Sequence, residues 1–331
     1  MTNSFMQEAD LVACFIPHYL HLNRHCLFLV TILFSVALHA QTIRIGVSGP
    51  FTGGSSPMGE SMRNGVRLAV EEINSSGGIN GLPIELVERD DTANNETGAK
   101  IADELTRSKV VATIGIVNTG VGMASIDYYQ KAKIPLLVAV STGPLLTRKF
   151  SPPAQKANFI FRVSPTLDLE AKVLAADLKQ KSLHRIALMA DTTPYGDSGR
   201  SAFAEQASLA GLDIVTELRF KVGDTDMSGL IKRARASGAA AVVMWGIGPE
   251  LASIARGIHT TGWRVPLLGS WTLSMRNFID AAGPAGDGAL MPQTFIQDAG
   301  STTKNSFLLA YHRAFKTDLI PSPMSAAQGY D

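Results

Sequence analysis

A glycine-rich turn at residues 49–60 offers hydroxyl and backbone N–H groups that could bind a small molecule. A β-branched run at residues 43–47 precedes it and predicts a buried strand, and a long helix is predicted to begin near Pro57. Small molecules bind α/β proteins at such carboxyl ends of strands. The turn is therefore either a phosphate-binding loop or one lip of a cleft, with Ser56 as a candidate contact.

The turn lacks both common nucleotide-binding patterns. It contains neither G-x-G-x-x-G nor G-x-x-x-x-G-K-[ST]. The glycines and the lysine of those patterns are what hold phosphate groups, so their absence removes the phosphate-loop interpretation. The lip of a cleft is the interpretation that remains.

Two further polar loops follow predicted strands in the first half of the chain. One contains Asn118 and Thr119, and the other contains Ser141 and Thr142. Their hydroxyl and N–H groups suit a carboxylate at a helix or turn start. Plain capping of the following helices explains the same residues, and the sequence leaves the two explanations about even.

In the second half, three loops follow predicted strands at residues 191–196, 245–250 and 269–272. Tyr195 and Trp271 are large rings in turn settings, where a role in core packing is less expected. Trp245 lies within an apolar run, and core packing is its favoured role. We therefore take Tyr195 and Trp271 as candidate ligand contacts.

No catalytic, metal or cofactor site is predicted. The chain after residue 40 has no cysteine and three histidines, His184, His259 and His312, none of which lies beside a nucleophile motif. Thiolate chemistry and Cys/His zinc sites are therefore excluded from it. The acidic run at residues 88–91 lacks the spacing of a calcium loop, and we expect a solvated turn there.

The first 40 residues are predicted to form a signal peptide with an unusual N-terminal extension. Residues 26–38 are apolar and uncharged, Arg24 precedes them, and cleavage is expected after Ala40. A membrane-spanning helix needs roughly 20 such residues, so an N-terminal anchor is the less favoured alternative. Export to an oxidising compartment also suits a mature chain without cysteine.

The rest of the chain has an ordinary globular composition, with 45% hydrophobic residues and a net charge of +1. No basic surface for nucleic acid is indicated. Strand and helix patterns alternate throughout, which predicts an α/β fold of two doubly wound parallel-sheet lobes. We expect lobe 1 at residues 41–160, lobe 2 at 161–290, and a return segment to lobe 1 at 291–331 that looks truncated.

The loops and helices resemble the type I periplasmic solute-binding proteins of the branched-chain amino acid transporter group. The resemblance covers residues 43 to about 297 and is most specific at 69–79, Ala-Val-Glu-Glu-Ile-Asn-Ser-Ser-Gly-Gly-Ile. It also includes Gly49-Pro50-x-Thr52-Gly53, Tyr195-Gly196 and Gly248-Pro249-Glu250. The resemblance implies two lobes joined by hinge strands that close on a ligand. It further implies delivery to the permease and ATPase subunits of an ABC transporter.

Residue by residue, the resemblance implies a carboxylate grip at Thr119, Thr142 and the carbonyl of Val140. Tyr195 matches an aromatic lid position, and the positions of other aromatic contacts fall on Met58 and Ile247. Trp271 departs from the pattern, because members that bind α-amino acids have an acidic residue at about this position. An indole cannot fully neutralise a buried ammonium. A carboxylate without an amine is therefore the ligand that this departure favours.

The sequence therefore predicts an exported, monomeric binding protein that captures a small organic solute, a carboxylate or an amino-acid-like molecule, without chemical conversion. A ligand-sensing module for a receptor or regulator is the first alternative, since the same fold serves it. A cleft enzyme is the second, and the missing catalytic motifs argue against it. The candidate ligand-binding residues are Ser56, Met58, Asn118, Thr119, Val140, Ser141, Thr142, Tyr195, Ile247 and Trp271.

Overall fold

A computed structural model describes residues 41–298 and 300–331. The predicted signal peptide, residues 1–40, lies outside the described residues. In the part that the structure describes, no helix is long and apolar enough to cross a membrane.

The first lobe is built on a parallel sheet in which the strands follow the order β2-β1-β3-β4-β5. The strands carry β-branched and aliphatic residues, as expected for a sheet that helices cover. In chain order its elements are β1 Ile43–Gly49, α1 Ser56–Ser75, β2 Ile84–Asp90, α2 Asn95–Arg107, β3 Ala112–Gly115, α3 Thr119–Ala132, β4 Leu136–Val138, α4 Leu145–Arg148 and β5 Ile160–Arg162.

The second lobe repeats the arrangement with a parallel sheet in the order β7-β6-β8-β9. Its central strands β6 and β8 are almost wholly buried, with apolar helices on both faces. The elements are α5 Leu167–Gln180, β6 Arg185–Asp191, α6 Pro194–Ala210, β7 Asp213–Phe220, α7 Ser228–Ala236, β8 Ala241–Trp245, α8 Pro249–Thr260, β9 Leu267–Gly269, a 3₁₀ turn Trp271–Ser274 and α9 Arg276–Ala282.

The chain passes between the sheets at residues 163–166 and again after Leu290, which still bridges to Leu268 of β9. Two final helices, α10 Thr302–Phe315 and α11 Pro323–Tyr330, then pack on α1 of the first lobe. The contact between α1 and α11 depends on two glycines. A methyl group on Gly65 would lie 2.1 Å from the Ala326 carbonyl oxygen, and one on Gly329 would lie 2.2 Å from the Met62 carbonyl oxygen.

The two sheets direct their carboxyl ends toward each other. The loops that leave β1 and β3 meet the loops that leave β6 and β8 across one cleft, and this is where the predicted polar loops lie. The predicted two-lobed α/β fold with parallel sheets is confirmed.

Candidate functional site

A cavity of about 750 Å³ lies in the cleft between the lobes. Its size is within the range of small-molecule sites. Both lobes supply its walls, and almost every lining residue belongs to a loop or to the first turn of a helix. These residues are Gly54, Ser55, Thr92, Ala93, Asn94, Asn95, Glu96, Asn118, Thr119, Gly120, Asp191, Thr193, Pro194, Tyr195, Val222, Gly223, Ile247, Pro249 and Glu250.

In the first lobe, a strained turn presents the start of α3 to this cavity. Ile116 has a φ of 60°, a region that β-branched residues rarely occupy. Its backbone is held there because its N–H donates to the Ser48 carbonyl and its carbonyl accepts from the Ser141 N–H. Such strain persists only where the surroundings fix it, and it concentrates at functional sites. The sequence gave no sign of this turn.

Asn118 caps α3 in position but not in bonding. Its side chain makes no hydrogen bond to the helix's N–H groups, and the first turn of α3 contains no acidic residue. Its Nδ2 donates to Ser55 Oγ at 3.2 Å, while its Oδ1 is buried and has no partner. The positive end of the α3 dipole therefore faces the cavity without a protein anion beside it.

The second polar loop of the first lobe is placed behind the first. The hydroxyl groups of Thr119 and Ser141 bond each other at 3.0 Å. Arg162 braces the loop from beneath, because its guanidinium donates to the carbonyl oxygens of Ser141 and Gly143. Burial lowers the pKa of Arg162. Sequence reasoning missed this arginine, which acts through the loop and does not line the cavity.

In the second lobe, Tyr195 lies in the first turn of α6, just after the N-cap Thr193. Its ring lines the cavity, and its hydroxyl group is buried without a hydrogen bond, although the Ser270 and Trp245 side chains lie near it. Burial, with a further contribution from the Glu170 carboxyl, raises the pKa of this phenol well above its ordinary value. A neutral hydroxyl group without a partner is thus available to a ligand.

Trp271 lies in an apolar cluster that joins the two lobes, together with Met58 and Val140 of the first lobe. It is 3% exposed, and its indole N–H has no partner. Ile247 packs against the same cluster and also lines the cavity. The ring therefore fills the space between the lobes beside the 750 Å³ cavity and is not one of its lining residues.

Glu170 is a buried carboxyl group that sequence reasoning missed. It lies on α5, fully buried, where its Oε2 accepts a 3.4 Å hydrogen bond from the Trp271 N–H and its Oε1 has no partner. Burial raises its pKa to about 8. A signal was available in the sequence, because Glu170 shares the apolar face of α5 with Leu167, Ala171 and Leu174.

The predicted ligand contacts thus fall into two groups. Asn118, Thr119, Tyr195 and Ile247 are brought together on the walls of the cavity. The others lie outside its lining: Ser56 opens α1 while its neighbour Ser55 lines the cavity, Met58, Val140 and Trp271 form the apolar cluster, Ser141 bonds Thr119, and Thr142 is buried beside the Glu170 carboxyl.

The expected solvated turn at residues 88–91 is wrong for Asp91. That side chain is fully buried, its Oδ1 accepts from the Ala93 N–H, and burial raises its pKa to about 6. The turn is buried because α2 begins immediately after it and packs on α3. Among residues 41–298 and 300–331, no group of three His, Cys, Asp or Glu side chains is placed to hold a metal ion.

Comparison with known proteins gives this geometry a context. The chain is 28% identical over 304 residues to Leu/Ile/Val-binding protein homolog 3 of Brucella melitensis, which covers 92% of this chain and 79% of the relative. Its fold matches the periplasmic binding protein type 1 from Bordetella pertussis with a TM-score of 0.80 at 26% identity, over 88% of this chain and 81% of that one. A solute-binding protein of an ABC transporter from R. palustris, solved with 4-hydroxybenzoate, matches with a TM-score of 0.79 at 24% identity, over 88% and 78% of the chains.

The family model described as periplasmic binding protein matches residues 42–331, which includes both lobes and every wall of the cavity. The predicted resemblance to this group is confirmed. The chain belongs to the periplasmic binding protein family.

Proposed function

We propose that this protein captures a small organic solute in the 750 Å³ cavity between its lobes, through the residues that line it. As a member of its family, the chain is a substrate-binding protein of an ABC transporter. The observation that supports the location is the convergence of unpaired polar atoms from both lobes. Asn118 Oδ1, Asp191 Oδ2 and Tyr195 Oη are all buried without partners on the walls of one cavity.

Unpaired buried polar groups are costly, and native proteins contain few of them. A ligand that bonds these atoms would recover that cost, and its burial would add apolar contact with Tyr195 and Ile247. Family members are solute-binding proteins. We propose that this chain, too, binds its solute and releases it unchanged.

The sequence left two ligand types open, a carboxylate without an amine and an amino-acid-like molecule. The names of relatives include both kinds: the Brucella relative is a Leu/Ile/Val-binding protein homolog, and the R. palustris structure contains 4-hydroxybenzoate. The ends of helices support binding of a carboxylate at the start of α3, where N–H groups face the cavity. Whether an amine accompanies it depends on the opposite wall.

Membership of the family implies a periplasmic location. We propose that residues 1–40 are a signal peptide cleaved near Ala40, and that the mature chain acts as a monomer. Its partners would be the membrane permease and ATPase subunits of the transporter, which would recognise the closed lobes. A ligand-sensing module is the alternative function, and the transport names of the relatives do not favour it.

A thermal-shift screen tests the location of the site. Protein purified from the periplasm of an expression host would be heated with amino acids and with aromatic and aliphatic carboxylates, and the best ligand would be titrated by calorimetry. Asn118→Leu should weaken binding roughly 5- to 150-fold, because the ligand loses one buried hydrogen-bond partner. Asn305→Leu on α10, distant from the cavity, is the control and should leave the affinity unchanged. Equal affinity in both variants would contradict the proposed location.

A further inference from the structure

The charged residues on the cavity walls are all acidic. The lining described above contains Glu96, Asp191 and Glu250 but no lysine, arginine or histidine. Two of the three acids are already engaged, since Glu96 pairs with Lys100 at 2.7 Å and Glu250 Oε1 accepts from the Gly223 N–H at 2.6 Å. Asp191 differs, because one of its carboxyl oxygens has no hydrogen-bond partner.

The position of Asp191 is fixed by its other oxygen. Asp191 ends β6, and its Oδ1 accepts from both the N–H and the hydroxyl of Thr193, at 2.9 and 2.5 Å. Its Oδ2 is buried on the cavity side and unpaired, and the whole residue is 1% exposed. Gly246 leaves room beside this oxygen, because a methyl group there would lie 3.2 Å from Oδ2.

The cations near Asp191 do not reach its free oxygen. The Arg219 guanidinium donates to the backbone oxygens of Ala190 and Asp191 and pairs with Asp197 at 2.6 Å. Burial raises the pKa of Asp191, while Arg219 acts in the opposite direction. A buried carboxylate without a cation is costly, so a positively charged ligand group at Oδ2 would relieve a cost already present in the empty protein.

The wall opposite Asp191 has the reverse polarity. The open start of α3, at Asn118, Thr119 and Gly120, presents N–H groups to the same cavity and has no acidic residue in its first turn. The first lobe therefore suits the negative end of a ligand and the second lobe the positive end. This polarity fits a zwitterion better than a simple carboxylate.

Resting on the proposed function, we propose that Asp191 is the specificity residue that holds the ammonium group of the ligand, through Oδ2. The indole of Trp271 leaves the ligand without an acid at that position, and Asp191 supplies one from the end of a different strand. Glu170 is excluded from this role because it lies in a separate cavity of about 100 Å³ that it shares with Trp271, Pro165 and Gln293. The ligand is then an amino acid or another amine with a carboxylate.

Two sets of matched probes test this role. One set is leucine, 3-methylbutylamine and 4-methylpentanoate, and the other is phenylalanine, 2-phenylethylamine and 3-phenylpropanoate. Within each set the three molecules differ by the presence of the ammonium or the carboxylate. Calorimetry should show that the amino acid binds the unmodified protein at least tenfold more tightly than the carboxylate that lacks the amine.

Asp191→Asn is the informative variant, since asparagine keeps the acceptor for Thr193 and replaces the free oxygen with an NH₂ group. It should weaken binding of the amino acid and of the amine at least tenfold, and leave the affinity for the simple carboxylate unchanged or higher. Asp197→Asn, one helical turn away and outside the cavity lining, is the matched control and should change the affinity less than twofold. Thermal unfolding of each ligand-free variant verifies that it is folded.

The result that overturns the proposal is a simple carboxylate that binds as tightly as its amino acid, or an amino-acid affinity that Asp191→Asn leaves within twofold. If carboxylate binding is still lost in Asn118→Leu, the proposed function stands and only the role of Asp191 fails. If neither probe set nor the wider solute screen gives binding, both proposals are contradicted.

Discussion

Glu170 accepts a hydrogen bond from the backbone N–H of Trp271 at 3.4 Å, although 101 residues separate them in the chain. The bond joins α5 to the turn after β9 and places a buried acid directly behind the indole that lies between the lobes. Thr142 of the first lobe lies beside the same carboxyl group. Among the described residues no lysine, arginine or histidine forms an ion pair with Glu170.

The first prediction is that Glu170 makes the stability of the protein depend on pH. Burial raises its pKa from 4.5 to about 8, so the folded protein binds a proton that the unfolded chain releases above pH 4.5. The contribution of this group to stability is fully present below pH 4.5 and declines as the pH rises to about 8. Each unit of such a shift corresponds to about 1.4 kcal/mol.

Glu170→Gln should remove this dependence. The melting temperature of the variant, relative to the unmodified protein, should rise between pH 5 and pH 8 and then level off. Glu205→Gln, an exposed glutamate on α6, is the control and should show a constant difference. A constant difference for Glu170→Gln as well would show that Glu170 is ionised throughout this range.

The second prediction concerns the hydroxyl group of Tyr195. Because that hydroxyl is buried without a hydrogen bond in the ligand-free protein, Tyr195→Phe should leave the ligand-free melting temperature unchanged or slightly higher. Ligand affinity should fall roughly 5- to 150-fold if the hydroxyl bonds the solute. Calorimetry and thermal unfolding on the same samples measure both effects. A drop in stability with unchanged affinity would make Tyr195 a purely structural residue.

The third prediction tests the packing of the last helix on the first lobe. Gly65→Ala should destabilise the protein by roughly 1–3 kcal/mol, because the new methyl group would meet the Ala326 carbonyl of α11 at 2.1 Å. Gly229→Ala on α7 is the matched control, since no atom lies within 4 Å of the added methyl group. Alanine is the better helix former, so the control should gain up to about 1 kcal/mol. Chemical denaturation would measure both; equal effects would contradict the close packing.

Most of the fold was predictable from the sequence, because alternating strand and helix patterns are local and strong. The strand at residues 43–47 and the helix near Pro57 are where the pattern predicts them, as β1 and α1. Helix ends were less predictable. The helix predicted at residues 199–209 begins at Pro194, where the Thr193 cap and a proline at the first helical position fix its start.

The site was predictable only in part, because loop residues near a cleft are not all directed into it. Asn118 and Tyr195 line the cavity as their loops suggest, whereas Trp271 packs into the apolar cluster between the lobes. The partner of Trp271, Glu170, comes from a helix 101 residues earlier, and no local pattern reveals such a contact. The unpaired oxygen of Asp191 likewise depends on what the neighbouring strand places beside it.

The last prediction uses Trp271 to report on movement of the lobes. Its backbone belongs to the second lobe while its ring packs against Met58 and Val140 of the first, so separation of the lobes would expose the ring to water. Trp245 is enclosed in the core of the second lobe and should not respond.

Ligand binding, which we expect to favour the closed lobes, should therefore shift the tryptophan emission to shorter wavelength. Trp271→Phe should abolish that shift and preserve binding, whereas Trp263→Phe, at a partly buried position in the second lobe, should retain the shift. A shift that survives in Trp271→Phe would show that the lobes do not separate at this ring.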